Sequence, residues 1–384
     1  MKISIFGDFC PRDMSLQNIQ KLPSLLDQGG LLDQIKSADL SILNLECPLT
    51  VTENKFNKTG PNIKSFPETA RVIREMGFTS VALANNHIFD FGSEGLKDTL
   101  NHCEEVGLDA FGAGLSHDNA QVTFSKSIRG DSLAIINAAE NESCAATKHH
   151  GGANPLNVIT LSRNIAKAKK NNTYVLVIIH GGNEFSNYPS PNVVERYRFF
   201  IDQGADAVVA HHPHVVQGFE IYHNRPILYS LGNFIFPSKK YNSTADGWSL
   251  GMGASIDFPF TGEDCLNLTP FYQSTNKSTI SLLSSEGEEE FRKYLSKLSK
   301  SLNNIDSLEK LWLQSLDSQA TTLLWYLSYG SLPMQVIRKF LAKLRLLGVL
   351  THRRSRTNKL RLAVIKTEAH RDLIISTLEK KFKN

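Results

Sequence analysis

Six residues have the side-chain types that hold metal ions: Asp8, Glu46, Asn86, His180, His212 and His214. Asp8 and Glu46 offer hard anionic oxygens, and one of them could bridge two ions. Asn86 offers a neutral amide oxygen, and the three histidines offer imidazole nitrogens. A mixed oxygen and nitrogen set suits Mn²⁺, Fe or Zn²⁺ better than Ca²⁺. Two such ions about 3.5–4 Å apart activate a water and stabilise both oxygens of an in-line displacement. His212 and His214 lie two positions apart, so on an extended segment their rings point the same way, with Pro213 stiffening the turn. His211 belongs to the same run. Packing alone explains such a cluster poorly, because gathered histidines repel below neutral pH. Taken singly, the residues have plainer readings: Asp8 as a turn residue, Glu46 as a strand end, Asn85 and Asn86 as a turn, His180 as a strand cap. Arg12, four positions past Asp8, either grips a phosphate bidentately or is a surface arginine.

What must position these residues is a set of strands. Apolar, β-branched runs predict strands over Lys2–Asp8, Leu40–Glu46, Thr79–Ala84, Leu133–Ala138, Tyr174–His180, Asp206–His211 and Pro226–Leu231. Each candidate ligand sits at the carboxyl end of one of them, the edge where open α/β sheets bind ligands. Helical patterns intervene: Pro67–Met76 stops at Gly77, and Gly92–Val106 stops at Gly107. Alternating strands and helices predict a layered α/β domain.

Beyond about residue 280 the pattern turns helical. Glu286–Ser301 and Ser307–Leu316 carry apolar residues at helical spacing, and so does Pro333–Leu350, with a stripe of Ile337, Phe340, Leu341, Leu344 and Leu347. His352–Lys359 reads as a polar, basic loop, Leu360–Lys366 as a strand and Asp372–Phe382 as a last helix. The domains expected are thus 1–275 and a basic, mainly helical module over 285–384. From Ser331 onward 14 Lys and Arg face three acidic residues, which is +11; against +4 overall, the first 330 residues carry −7. A tail of this sign suits an anionic membrane surface or polymer, or a solvated helix face. No base-reading motif accompanies it, so a specific nucleic acid is not expected. A composition with 41% hydrophobic and 21% charged residues excludes collagen-like and wholly disordered chains. Met1–Asp8 reads as a strand rather than a leader, and five scattered cysteines form no disulfide framework, so the expectation is a cytoplasmic protein, at most peripheral to the membrane.

The segments Gly7-Asp8, Asn44-Leu45-Glu46-Cys47-Pro48, Ala84-Asn85-Asn86-His87 with Asp90-Phe91-Gly92, His180-Gly181-Gly182-Asn183-Glu184, His211-His212-Pro213-His214 and Gly232-Asn233-Phe234 follow one another in a specific order. Over residues 1 to about 260 the chain resembles the CapA / poly-γ-glutamate capsule biosynthesis proteins, a branch of the calcineurin-like metallophosphoesterase superfamily. The resemblance implies a four-layer α/β/β/α metallophosphoesterase-like sandwich, followed here by the C-terminal helical module, with two divalent metal ions, Mn²⁺ ahead of Fe or Zn²⁺. It makes Glu46 the bridging carboxylate, Asp8, Asn86, His180, His212 and His214 the other ligands, and His87 the catalytic donor of a proton to the leaving group. Such a donor should stand at the rim and face solvent. Asn233 and Glu184 match motif positions without a settled role, and Asn85 and His211 flank ligands closely enough to touch metal or substrate. The wider superfamily has histidine where this chain has Cys10, so Cys10 is either a thiolate ligand or leaves that place unfilled. The function implied is hydrolysis of a phosphoester linked to capsule or envelope polysaccharide metabolism. The alternative is a non-catalytic assembly factor that binds an anionic polymer. The partner is accordingly a phosphorylated small molecule or an anionic polymer.

Overall fold

The computed structural model describes residues 1–28, 30–238, 247–274, 279–328 and 362–382. In chain order the strands are β1 (Lys2–Phe9), β2 (Leu40–Leu45), β3 (Ser80–Ala82), β4 (Asp109–Phe111), β5 (Ala113–Gly114), β6 (Phe124–Ile128), β7 (Asp131–Ala139), β8 (Gly152–Ala153), β9 (Tyr174–His180), β10 (Ala207–His211), β11 (Phe219–Tyr222), β12 (Arg225–Leu228), β13 (Asn233–Ile235), β14 (Leu250–Asp257), β15 (Leu266–Ser274) and β16 (Thr279–Leu282). One sheet runs β16-β15-β14-β1-β2-β3-β4, with β13 added beside β1; the other runs β11-β12-β10-β9-β7-β6. The centres of both sheets are parallel: β1, β2, β3 and β4 in the first, and β7, β9, β10 and β12 in the second.

The near-continuous apolar runs of β1, β2, β9 and β10 follow from burial on both faces. Between the sheets, Ile3, Ile5, Leu40 and Ile42 of the first meet Ile135, Leu176, Ile178 and Val209 of the second. The outer face of the first sheet packs against helices through Leu43, Ile73, Leu96 and Cys103. That of the second does so through Val177, Leu161, Ile165, Val194 and Phe200. The result is four layers, helix, sheet, sheet, helix. Each fully buried Ile or Leu contributes roughly 1.5–3 kcal/mol to holding them together. The covering helices Val158–Asn171 and Pro191–Asp202 start cleanly: the Asn157 side chain accepts from the Thr160 amide, and Ser190 from Val193 ahead of Pro191.

The hairpins of β14, β15 and β16 escape the sequence pattern because Gly251 and Gly253 dilute it. Those glycines are required: a Cβ on Gly253 would press into the Phe6 ring, and one on Gly251 into the Asn233 carbonyl. Helices continue after residue 284 as Ser285–Ser301, Ile305–Ser315, Asp317–Ser328 and Glu368–Phe382. Phe291 and Leu295 seal the edge of the inter-sheet core. Trp312, Leu316, Ala320, Leu323, Val364, Leu373 and Ile374 form a smaller core of their own. One expectation is corrected here. Residues 362–366, expected as a strand, are helical. Val364 is buried while Leu362 and Ile365 are exposed, so one face packs and the β-branched run finds no sheet partner. The expected helix Pro333–Leu350, with its basic flanks, and the loop His352–Lys359 lie outside the described residues. Among the described residues no helix is long and apolar enough to cross a membrane.

Candidate metal centre

The carboxyl ends of β1, β2, β9 and β10, with the loop after β3, meet at the edge where the two sheets face each other. The β1 strand ends in an irregularity at Asp8, where the β2 register shifts. Gly7 makes this possible, since a Cβ there would collide with the Gly232 carbonyl. Asp8 is completely buried. Its Oδ1 accepts from Asn44 Nδ2 at 2.7 Å, and its Oδ2 lies 3.2 Å from His214 Nδ1. Burial alone would raise the Asp8 pKa, but the hydrogen bond and charge of His214 outweigh it and hold the carboxyl below the usual range.

Glu46 is the centre of the arrangement. It is completely buried, and neither carboxylate oxygen has a hydrogen-bond partner. Its Oε1 lies 3.5 Å from His180 Nε2 and 3.7 Å from His214 Nε2. Burial, and then the neighbouring Asp8, push its carboxyl well above the usual range. His180 Nε2 stands 3.1 Å from both Asn86 Oδ1 and His212 Nδ1. Two trios, Asp8–Glu46–His180 and Glu46–His212–His214, each bring their ligand atoms within 4.8 Å of one another. Glu46 belongs to both. Orphaned carboxylate oxygens amid imidazole nitrogens and an amide oxygen fit a divalent cation, whose bonds of about 2.0–2.2 Å would span such separations.

His212 and His214 converge by a route other than strand alternation. Both have left-handed backbones, with φ of 100° and 59°, so the segment is not extended. Their rings lie 5.9 Å apart. Each such conformation costs about 1–3 kcal/mol and persists where the surroundings over-determine it. Burial first, then the like charge of His212, keep His180 well below the usual histidine range against the pull of Asp8, and burial lowers His212. His214 is raised, because the Asp8 hydrogen bond and charge overcome burial.

His87 is buried, 8% exposed, rather than facing solvent at the rim as expected. Its surroundings are polar: Nδ1 is 2.7 Å from Asp90 Oδ2 and 3.2 Å from Lys58 Nζ. Lys58 is ion-paired with Asp90 and donates to the Asn86 carbonyl at 3.0 Å. Burial, then Lys58, lower His87 to about 4.

The remaining candidates take supporting places. Asn233 Oδ1 lies 2.9 Å from His214 Nδ1, so it orients a ligand. Asn85 brackets the turn, donating to the Leu45 carbonyl at 2.8 Å and accepting from the His87 amide at 3.1 Å. His211 is sealed behind Asp8, its Nδ1 3.8 Å from Oδ1, and neither ring nitrogen has a partner. Cys10 is buried against Cys47, in neither trio. Arg12 sits over the Phe236 ring at 5.5 Å and beside Asp13. The exposed Glu184 has its carboxyl within electrostatic reach of His212, His214 and His87. Sequence reasoning missed the supporting roles of Asn44, Lys58 and Asp90, and missed Glu142, whose Oε1 lies 3.9 Å from His212 Nε2. Asn44 and Asp90 carried a signal as members of ordered motifs, and Lys58 as the start of a polar loop, Lys58-Thr59-Gly60-Pro61-Asn62, that the sequence places near the site.

The model of the bacterial capsule synthesis protein family PGA_cap matches residues 2–238. Capsule biosynthesis protein CapA of Bacillus anthracis is 36% identical over 211 residues, covering 53% of this chain and 51% of that protein. PGA biosynthesis protein CapA of Bacillus subtilis is 34% identical over 205 residues, covering 52% and 54%. The chain thus spans about half the length of these relatives. Among solved structures, a 5′-nucleotidase precursor from Thermus thermophilus aligns with 84% of this chain and 59% of its own, at a TM-score of 0.42 and 12% identity. The family match covers the whole segment from Asp8 to Asn233 that builds the candidate metal centre, and the chain belongs to the bacterial capsule synthesis protein family PGA_cap.

Proposed function

We propose that the protein is a metal-dependent hydrolase of the metallophosphoesterase type, acting on a phosphoester of capsule or envelope polysaccharide metabolism. The observation that carries this is Glu46: a buried carboxylate with two unpaired oxygens, shared by two clusters of ligand atoms. A divalent pair, Mn²⁺ ahead of Fe or Zn²⁺, would be held by Asp8, Glu46, Asn86, His180, His212 and His214. When bound it supplies an activated water and charge stabilisation at phosphorus. The chain's own residues do the rest. Asn44 fixes Asp8, and Asn233 fixes His214, so the ligands are set before any ion arrives. Asp90 holds His87 by Nδ1, which leaves Nε2 to face the leaving oxygen. Lys58 favours the neutral imidazole. An arriving phosphate dianion has the opposite effect, raising His87 basicity so that it can carry the proton the leaving group needs.

Turnover of a generic aryl phosphate by the Mn²⁺-loaded protein tests the reading. His87→Ala should lower it about 10²–10⁴-fold with metal content unchanged. The alternative, a non-catalytic factor that binds an anionic polymer, is favoured by the relatives' names, which speak of biosynthesis rather than hydrolysis. Wild-type protein that holds two ions yet turns over no phosphoester would decide for it. A cytoplasmic location, with the basic tail resting on an anionic membrane, accompanies either reading.

A further inference from the structure

The helix Glu368–Phe382 lies outside the family-matched segment, yet its first turn docks against loops that build the metal centre. Glu368 accepts from the Asn141 amide at 2.9 Å and from Asn141 Nδ2 at 2.6 Å. The Ala369 amide donates to Glu140 Oε2 at 3.2 Å, and the Ala369 carbonyl accepts from Asn183 Nδ2 at 3.4 Å. Trp312, from another C-terminal helix, donates to the same Asn183 at 3.0 Å. The chain returns here from 227 positions away and is clamped from three sides.

The clamp fixes His370. Its imidazole lies within electrostatic reach of Glu142, His212 and Glu184. His212 is a proposed metal ligand, and Glu184 also reaches His87. The ring itself is only partly exposed, and its Nδ1 is shielded with no hydrogen-bond partner among the described residues. A polar nitrogen kept dry and unpaired carries a desolvation penalty that a ligand oxygen would offset. Lys58 is paired with Asp90, and Arg12 lies over Phe236 with its Nε 3.6 Å from Asp13 and no hydrogen-bond partner among the described residues, so it is a second donor that the His370 variants leave in place. His211 also has unpaired nitrogens, but it is sealed completely behind Asp8. His370 stands in the first turn of a 15-residue helix, where the backbone dipole favours an anion.

We propose that His370 contacts the oxygens of a phosphoryl group held at the metal centre, so that the C-terminal helix supplies a substrate-binding residue to the family's site. This rests on the phosphoester reading above and extends it.

The test is calorimetric titration of inorganic phosphate into the full-length, Mn²⁺-loaded protein, with metal content measured alongside. His370→Ala should weaken phosphate binding about tenfold, the loss of one hydrogen bond to a charged group, with both ions retained. His370→Gln keeps a donor and should recover part of the loss, which a merely structural role would not predict. Glu368→Gln, which loosens the clamp, should weaken binding in the same direction. If phosphate binds the wild type and His370→Ala equally, this inference is wrong while the phosphoester reading stands. Loss of metal in His370→Ala also overturns it, since the residue would then act on the ions. A wild type that holds two ions and binds no phosphate defeats both.

Discussion

Glu46 is the residue on which the site turns, because among the described residues nothing hydrogen-bonds its carboxylate. A carboxylate kept for structure would be hydrogen-bonded, and its removal would destabilise the fold. Glu46→Gln should do the reverse. It should lower bound metal below two ions per chain, and leave the metal-free protein as stable as wild type or more stable by about 1 kcal/mol, since a buried carboxyl that must either ionise unpaired or hold a proton is replaced by an amide that never ionises. Metal content and chemical denaturation of the metal-free proteins would show this. A metal-free variant less stable by more than about 2 kcal/mol would make Glu46 a structural group. The same scale explains His87. Its burial among Asp90 and Lys58 makes it a residue whose proton depends on what sits beside it. An Asp90→Asn substitution should therefore lower turnover of an aryl phosphate by about tenfold or more while sparing metal content.

Strand ends deliver the ligands, and one glycine sets their register. Asp8 pairs with Asn233 across the β1–β13 contact, and its amide donates to the Gly232 carbonyl at 3.1 Å. Both residues serve the site, Asp8 as a proposed ligand and Asn233 on His214. A side chain at position 7 would push β13 away from β1. Gly7→Ala should thus cost about 1–3 kcal/mol, as overpacking does, and reduce metal content at the same time. Thermal unfolding with elemental analysis separates the outcomes. Lost stability with two ions still bound would mean that β13 does not help to set the site.

At the scale of the molecule, the C-terminal helices fasten to the sandwich through Glu140, which meets the Ala369 amide and Arg196 Nη1 at 3.4 Å. Burial, opposed by Arg196, raises Glu140 to about 8 from a model-peptide value of 4.5. The folded protein therefore binds this proton more tightly than the unfolded chain. The stabilisation is complete below about pH 4.5 and is lost as pH rises toward about 8. Wild type should lose more stability between pH 5 and pH 8.5 than Glu140→Gln, which keeps an acceptor without the charge. Equal losses, measured as urea midpoints, would remove Glu140 from the account. The +11 tail carries its own prediction. If it meets an anionic surface, full-length protein should sediment with anionic liposomes at low salt and be released at high salt, whereas a chain ending near Ser284 should stay in the supernatant at both.

By itself the sequence determined the candidate ligand set and the layered fold. Apolar strands carry a local signature, and their parallel order places their carboxyl ends on one edge, so Asp8, Glu46, Asn86, His180, His212 and His214 could be named before any coordinates. Helix stops at Gly77 and Gly107 were legible for the same local reason. Tertiary structure alone decided the rest. The Lys58–Asp90–His87 group, the Asn44–Asp8 hydrogen bond and the left-handed turns at His212 and His214 follow from contacts between distant segments, which leave no period in the chain. Residues 362–366 read as a strand because β-branched residues favour pleated surfaces, yet they coil where no sheet edge is offered. His370 carried no signal at all. A histidine in a basic tail looks like any solvated residue until the helix is clamped to Asn141 and Glu140, which brings its imidazole within electrostatic reach of His212.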